Sequence, residues 1–149
     1  MLLAVLVGCS EDDVPARTTP LRVRIENVAA ADALETSSGA ITFHLPPGVW
    51  LTTATASPLY ALGEPDRGRG LEALAEDGDP MPLADALVTT GERAGVFAYN
   101  SATYADGALD PGQAFVLDVD AREGDRLHLA TMLGESNDIF FATDAAATR

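Results

Sequence analysis

The sequence predicts a mainly β domain, an antiparallel β-sandwich with one or two short helices in a connecting loop. Three observations lead there. Leu21, Val23 and Ile25 alternate with Arg22, Arg24 and Glu26 near the start. Phe115, Leu117 and Val119 point together near the end, leaving Asp118 and Asp120 outward. Between these period-two segments lies one strong run of helix formers, Leu71 to Glu76. A period of two marks a strand with one face in the core, and strands separated by helical insertions favour an antiparallel sheet over a doubly wound one.

Taken in order, the first strand covers Leu21 to Ile25. A second is expected from Ala40 to Leu45, with Ile41, Phe43 and Leu45 on one face and Thr42 and His44 on the other. Pro46-Pro47-Gly48 turns the chain, and a Thr-rich extended piece follows from Val49 to Thr55. Leu71-Glu72-Ala73-Leu74-Ala75-Glu76 should be helical and stop at Asp77-Gly78, with Gly78 as the C-terminal cap. A second short helix is expected from Pro82 to Thr89, broken by Gly91. Strands return at Ala114 to Asp120 and Arg126 to Leu133, joined through Arg122-Glu123-Gly124-Asp125 as a tight hairpin.

At 149 residues the chain suits one domain with a proper core. Its net charge is −14, and all nine basic residues are arginine. So acidic a surface repels phosphate backbones, which excludes nucleic acid as a partner and favours cations or basic partners. The single cysteine, Cys9, rules out an intrachain disulfide. It follows the apolar run Leu2 to Val7, and Leu6-Val7-Gly8-Cys9 has the form of a bacterial lipobox. Residues 1–9 are therefore expected to be a lipoprotein signal, shorter than usual and without its basic n-region. Residues 10–20, polar and Pro-containing, form an acidic tether, and residues 21–149 form the domain. The address expected is the outer membrane or cell surface, with the membrane reached through lipid on Cys9. A buried core cysteine is the alternative role for the same residue.

Two stretches resemble the spondin N-terminal domain family in its bacterial branch. One is Leu59-Tyr60-Ala61-Leu62-Gly63-Glu64-Pro65 followed by Gly70 through Asp79. The other runs from Leu109-Asp110-Pro111-Gly112-Gln113 through Gly124-Asp125-Arg126-Leu127 to Ala130-Thr131-Met132-Leu133 and Asn137-Asp138-Ile139-Phe140. The resemblance implies a C2-like sandwich outside the cell, serving in recognition or adhesion of a protein or glycan ligand and stabilised by calcium. It also implies a further strand beyond Arg149, with an acidic turn.

Calcium requires six to eight oxygen ligands, so clustered acids are the candidates. Glu76, Asp77 and Asp79 surround Gly78, where they are either metal ligands or solvated acids at a helix end. Asp138 lies in the family's most recognisable stretch, where the other reading is an Asx-turn; Asp144 is a weaker candidate. The metal candidates are thus Asp138, Glu76, Asp79 and Asp144. Asp118 and Asp120 fit a solvated strand face, and His44 and His128 are expected on outward strand positions. Trp50 and Tyr60 are either core residues or a carbohydrate-facing pair. No nucleophile elbow or phosphate-binding glycine loop occurs, so the expectation is a non-enzyme. An envelope hydrolase using other carboxylates, or a purely structural envelope lipoprotein, are the alternatives.

Overall fold

A computed structural model describes residues 17–98 and 107–144. Among the described residues the chain is mainly β and antiparallel, with two helices. Its centre is a four-stranded sheet in the order β5 (Arg93–Phe97), β4 (Gly48–Thr53), β7 (Arg126–Met132), β8 (Phe140–Ala142). A two-stranded ribbon, β1 (Thr18–Glu26) with β6 (Ala114–Arg122), covers one face of that sheet. Helices α1 (Leu71–Asp77) and α2 (Met81–Thr89) cover the other. A small hairpin, β2 (Leu34–Thr36) with β3 (Gly39–Ile41), projects before β4.

The register explains the burial. Ile25 lies opposite Phe115, Val23 opposite Leu117 and Leu21 opposite Val119, so the alternating apolar residues of both ribbon strands share one face. On that face Ile25, Phe115 and Leu117 pack with Leu45, Phe97, Leu109 and the half-buried Trp50, which thereby sides with the core, while Leu21 stays exposed. Arg22 and Asp118 pair on the outer face at 2.9 Å, both well exposed. The guanidinium's hydrogen bond holds the Asp118 carboxyl below its ordinary range, but so exposed a pair adds little stability. On the sheet's other face, Val49, Leu51 and Ala130 are fully buried against Leu59, Leu74, Leu83 and Leu87.

Both helices lie in the connection between β4 and β5, and both end as expected. Gly78 takes a left-handed φ of 67° and donates its N–H to the Ala73 carbonyl, closing α1. Gly70 precedes α1 at φ 101°, where a Cβ would stand 2.5 Å from the Leu83 backbone nitrogen. This close approach lets α1 lie against α2.

Four expectations change. The predicted strand from Ala40 to Leu45 is ladder-paired only through Gly39–Ile41, with a single bridge from Leu45 to Leu109. Side chains satisfy the backbone between: Asn27 donates to the Phe43 carbonyl, and Glu135 accepts the His44 N–H. The Arg122–Asp125 turn is tight, with Asp125 N–H donating to the Arg122 carbonyl at 3.0 Å, yet the strands it joins do not pair. β7 already has β4 and β8 on its two edges, so β6 passes to the other sheet. Asp125 secures this crossing: its buried carboxylate accepts the Arg122 N–H at 2.6 Å and pairs with Arg93 on β5. Finally, His128 is buried rather than outward, because β7 is an inner strand covered on both faces. The first strand also begins at Thr18, ahead of Leu21.

Asn27, 2% exposed, joins the end of β1 to two other segments. Its amide donates to the Phe43 and Leu109 carbonyls at 3.0 and 2.9 Å, and its side-chain oxygen accepts the Ala29 N–H at 3.1 Å. Asn27→Ala removes all three bonds and strips buried carbonyls of a donor. It should cost about 2–3 kcal/mol in a urea-unfolding measurement; a loss indistinguishable from zero would show that the clamp is idle.

Candidate functional site

A cleft of about 630 Å³ opens where α1, the loop after Leu59 and β8 meet. Its floor is apolar: Leu59, Leu71, Ala75, Phe140 and Ala142. Its rim is acidic, with Glu64, Asp66, Glu72, Glu76 and Asp138 against one guanidinium, that of Arg67. A shallower hollow that also includes Gly68 and Asp77 adjoins it and shares Asp66, Glu72 and Glu76.

Each wall has a local cause. Leu71, Leu74 and Ala75 bury one side of α1, which leaves Glu72 and Glu76 exposed on the other. The loop is shaped by short-range bonds: Ser57 Oγ accepts the Leu59 N–H, the Ala61 carbonyl accepts the Glu64 N–H, and Asp66 accepts the Gly68 N–H at 2.8 Å. Tyr60 stands edge-on to Phe140, with ring centres 5.7 Å apart, and its hydroxyl donates to the Thr143 carbonyl at 3.1 Å. The loop is thereby tied to the chain just beyond β8. The turn before β8 is closed by Leu133 N–H donating to the Ile139 carbonyl and by Ser136, and it presents exposed Asp138 to the cleft.

Of the four acids expected to hold a metal, the structure brings two to one cleft. Glu76 and Asp138 both line it. Asp79 does not: its carboxylate accepts the Met81 N–H at 3.0 Å and its own N–H donates to the Ala73 carbonyl, so it serves the α1–α2 junction. Asp144 is exposed beyond β8 and is not among the lining residues. Among the described residues no group of three or more His, Cys, Asp or Glu side chains converges as a metal cage. Cys9, the expected lipid site, lies outside the described residues.

Sequence reasoning did not single out Glu64, Asp66, Glu72, Arg67 or the cleft-lining role of Phe140. Within the aromatic pair considered together, Trp50 belongs to the core and Tyr60 to the cleft. The contrast between a buried α1 face and a charged one was the available signal for Glu72.

The two histidines differ sharply. His44 is part-exposed and bonded to carboxylates, whereas His128 is fully buried and neither ring nitrogen has a hydrogen-bond partner. Burial, and secondarily the Arg126 charge, pushes the His128 imidazole below its ordinary range. The folded state then releases this proton more readily than the unfolded chain. Stability from this group is complete above the unfolded imidazole's pKa of about 6.5 and is lost as pH falls from there toward the lower folded value. His128→Leu should abolish that component. Melting midpoints at pH 7.5 and 5.5 should fall less in the variant than in the parent, and an equal fall would overturn this account.

In comparisons with family models, with curated proteins and with solved structures, nothing matches this chain.

Proposed function

We propose that the chain is an exported, lipid-anchored recognition module of the bacterial cell envelope, and that its cleft takes a basic peptide segment of a protein partner. The observation that carries this reading is the convergence of Glu76 and Asp138, distant in sequence, on a cleft with an apolar floor and a predominantly acidic rim. Concave sites of this size bury a ligand against apolar walls and orient it with a few polar groups. An arginine or lysine suits both parts, with its stem on Leu59 and Phe140 and its charge among the rim acids. Tyr60 and Phe140 add aromatic surface for a cation. The lipobox at Cys9, the polar tether and the two stretches similar to the spondin N-terminal family support the extracellular address and the non-catalytic role. The alternatives, an envelope hydrolase and a purely structural lipoprotein, have no comparable convergence in their favour.

A peptide carrying alternating Arg and Leu should bind saturably in a fluorescence-polarisation titration. The double variant E76Q/D138N should weaken it by about tenfold, as expected for two charge contacts of modest strength, and added salt should weaken it further. Equal affinity in parent and variant would sink the reading. A calcium ion bridging Glu76 and Asp138 is a second reading, favoured by the same shared cleft. Its signature is a melting midpoint raised by calcium, reversed by chelator and insensitive to calcium in the double variant; an unmoved midpoint in the parent removes it. The anchor has its own test. Cys9→Ser should shift the protein from the membrane fraction to the soluble fraction, and unchanged membrane retention would count against lipidation at this position.

A further inference from the structure

Away from the cleft floor, two carboxylates from separate segments meet one imidazole from a third. His44 precedes the bridge at Leu45, Asp110 follows the bridge at Leu109, and Glu135 lies in the turn after β7. Each is held by its backbone. Leu45 and Leu109 exchange hydrogen bonds of 3.0 and 2.8 Å. Asp110 N–H donates to the Gln113 side chain at 2.8 Å, while Gln113 N–H returns to the Asp110 carbonyl. The Glu135 turn is closed by the Leu133–Ile139 and Ser136–Leu133 bonds.

Around the ring the two carboxylates play different parts. Glu135, 15% exposed, accepts the His44 backbone N–H at 3.0 Å and lies 2.7 Å from the ring's Nδ1 through the same oxygen. An ionised carboxylate can only accept, so Nδ1 is the donor in this bond, and the tautomer it selects presents a lone pair at Nε2. That lone pair faces the Asp110 carboxylate, 3.4 Å away. Two acceptors so placed call for a positive centre between them. The ring and Asp110 are 43% and 65% exposed, so water can complete a coordination sphere there.

We propose that His44 and Asp110 form an open, two-point site for a divalent transition-metal ion of the zinc or copper(II) type, with Glu135 as the positioning residue behind the ring. An ion about 2.1 Å from both atoms would subtend an angle of roughly 110° across the 3.4 Å gap, close to tetrahedral. A carboxylate on the remaining imidazole nitrogen is the usual support of a metal-binding histidine, setting its tautomer and raising its basicity. Imidazole nitrogen selects zinc or copper over calcium or magnesium, which prefer all-oxygen sites. This site is therefore chemically distinct from the acidic cleft. The competing occupant is a proton, giving an imidazolium between two carboxylates.

Zinc chloride titrated into the ¹⁵N-labelled full chain, followed by long-range imidazole ¹H–¹⁵N spectra, separates the two. The expected result is saturable movement of the His44 Nε2 resonance, with the His128 ring unmoved. D110N should weaken binding by about tenfold and E135Q by roughly ten- to a hundredfold, while E76Q/D138N should leave it unchanged. Copper(II) resonance spectra should show one coordinated imidazole nitrogen, lost in H44Q. His44 signals that stay fixed through millimolar zinc overturn the proposal, as does parental zinc affinity in D110N. Should E135Q fail to fold, D110N decides alone, because its side chain is largely exposed and its backbone bonds are retained.

Discussion

The fold rests on a sheet whose inner strands are covered on both faces. β4 lies between β5 and β7 along its edges, with the helices on one side and the ribbon on the other; Val49 and Leu51 are fully buried. A two-sided sheet must be covered twice, or apolar surface worth about 25 cal/mol per Å² remains in water. One covering is the β1–β6 ribbon. The other is the long connection from β4 to β5, which has to supply apolar residues over a wide area and does so with two short helices and the Leu59 loop. The cleft is a consequence of that second covering. Two helices and a loop cannot tile the sheet as completely as another sheet would, and the gap left beside β8 is the concavity that Glu76 and Asp138 share.

What could be read from the sequence follows the same division. The ribbon strands were legible because each has one wet face, so Leu21, Val23, Ile25 and Phe115, Leu117, Val119 announce themselves by alternation. Both helices were legible from strong formers and from glycines at their ends. β5 was not, because Arg93-Ala94-Gly95-Val96-Phe97 lies in the double-covered sheet and shows no period of two. His128 was misplaced for the same reason: alternation on an inner strand distinguishes two cores, not core from solvent. The Arg122–Asp125 turn was recognised from its local chemistry, but local chemistry does not say which sheet receives the next strand. That is decided by edges already occupied elsewhere.

The candidate site divides likewise. Glu76 was legible as one of the acids clustered at a helix end around Gly78, and Asp138 from its place in a loop between apolar runs. Nothing local distinguished Asp79, whose carboxylate is committed to the Met81 N–H, from an acid free to meet a ligand. Nor could local pattern assemble Glu64, Asp66 and Tyr60 into a wall, since the Leu59 loop is placed by its bonds to distant partners such as Thr143. The meeting of His44, Asp110 and Glu135 is wholly tertiary, three turns brought together by the Leu45–Leu109 bridge and the closure before β8.

The pairing of β1 with β6 also orders events in time. Thr18 lies opposite Arg122 and Glu26 opposite Ala114, so the first described strand waits for a partner in the last quarter of the chain. Closing so long a loop costs entropy before any contact compensates it, and folds dominated by such pairings form in milliseconds to seconds rather than microseconds. A chain made N-terminus first therefore presents β1 with no partner to fold against until β6 has followed. Closure of the ribbon is in this sense a late event, set by the spacing of its two strands along the sequence.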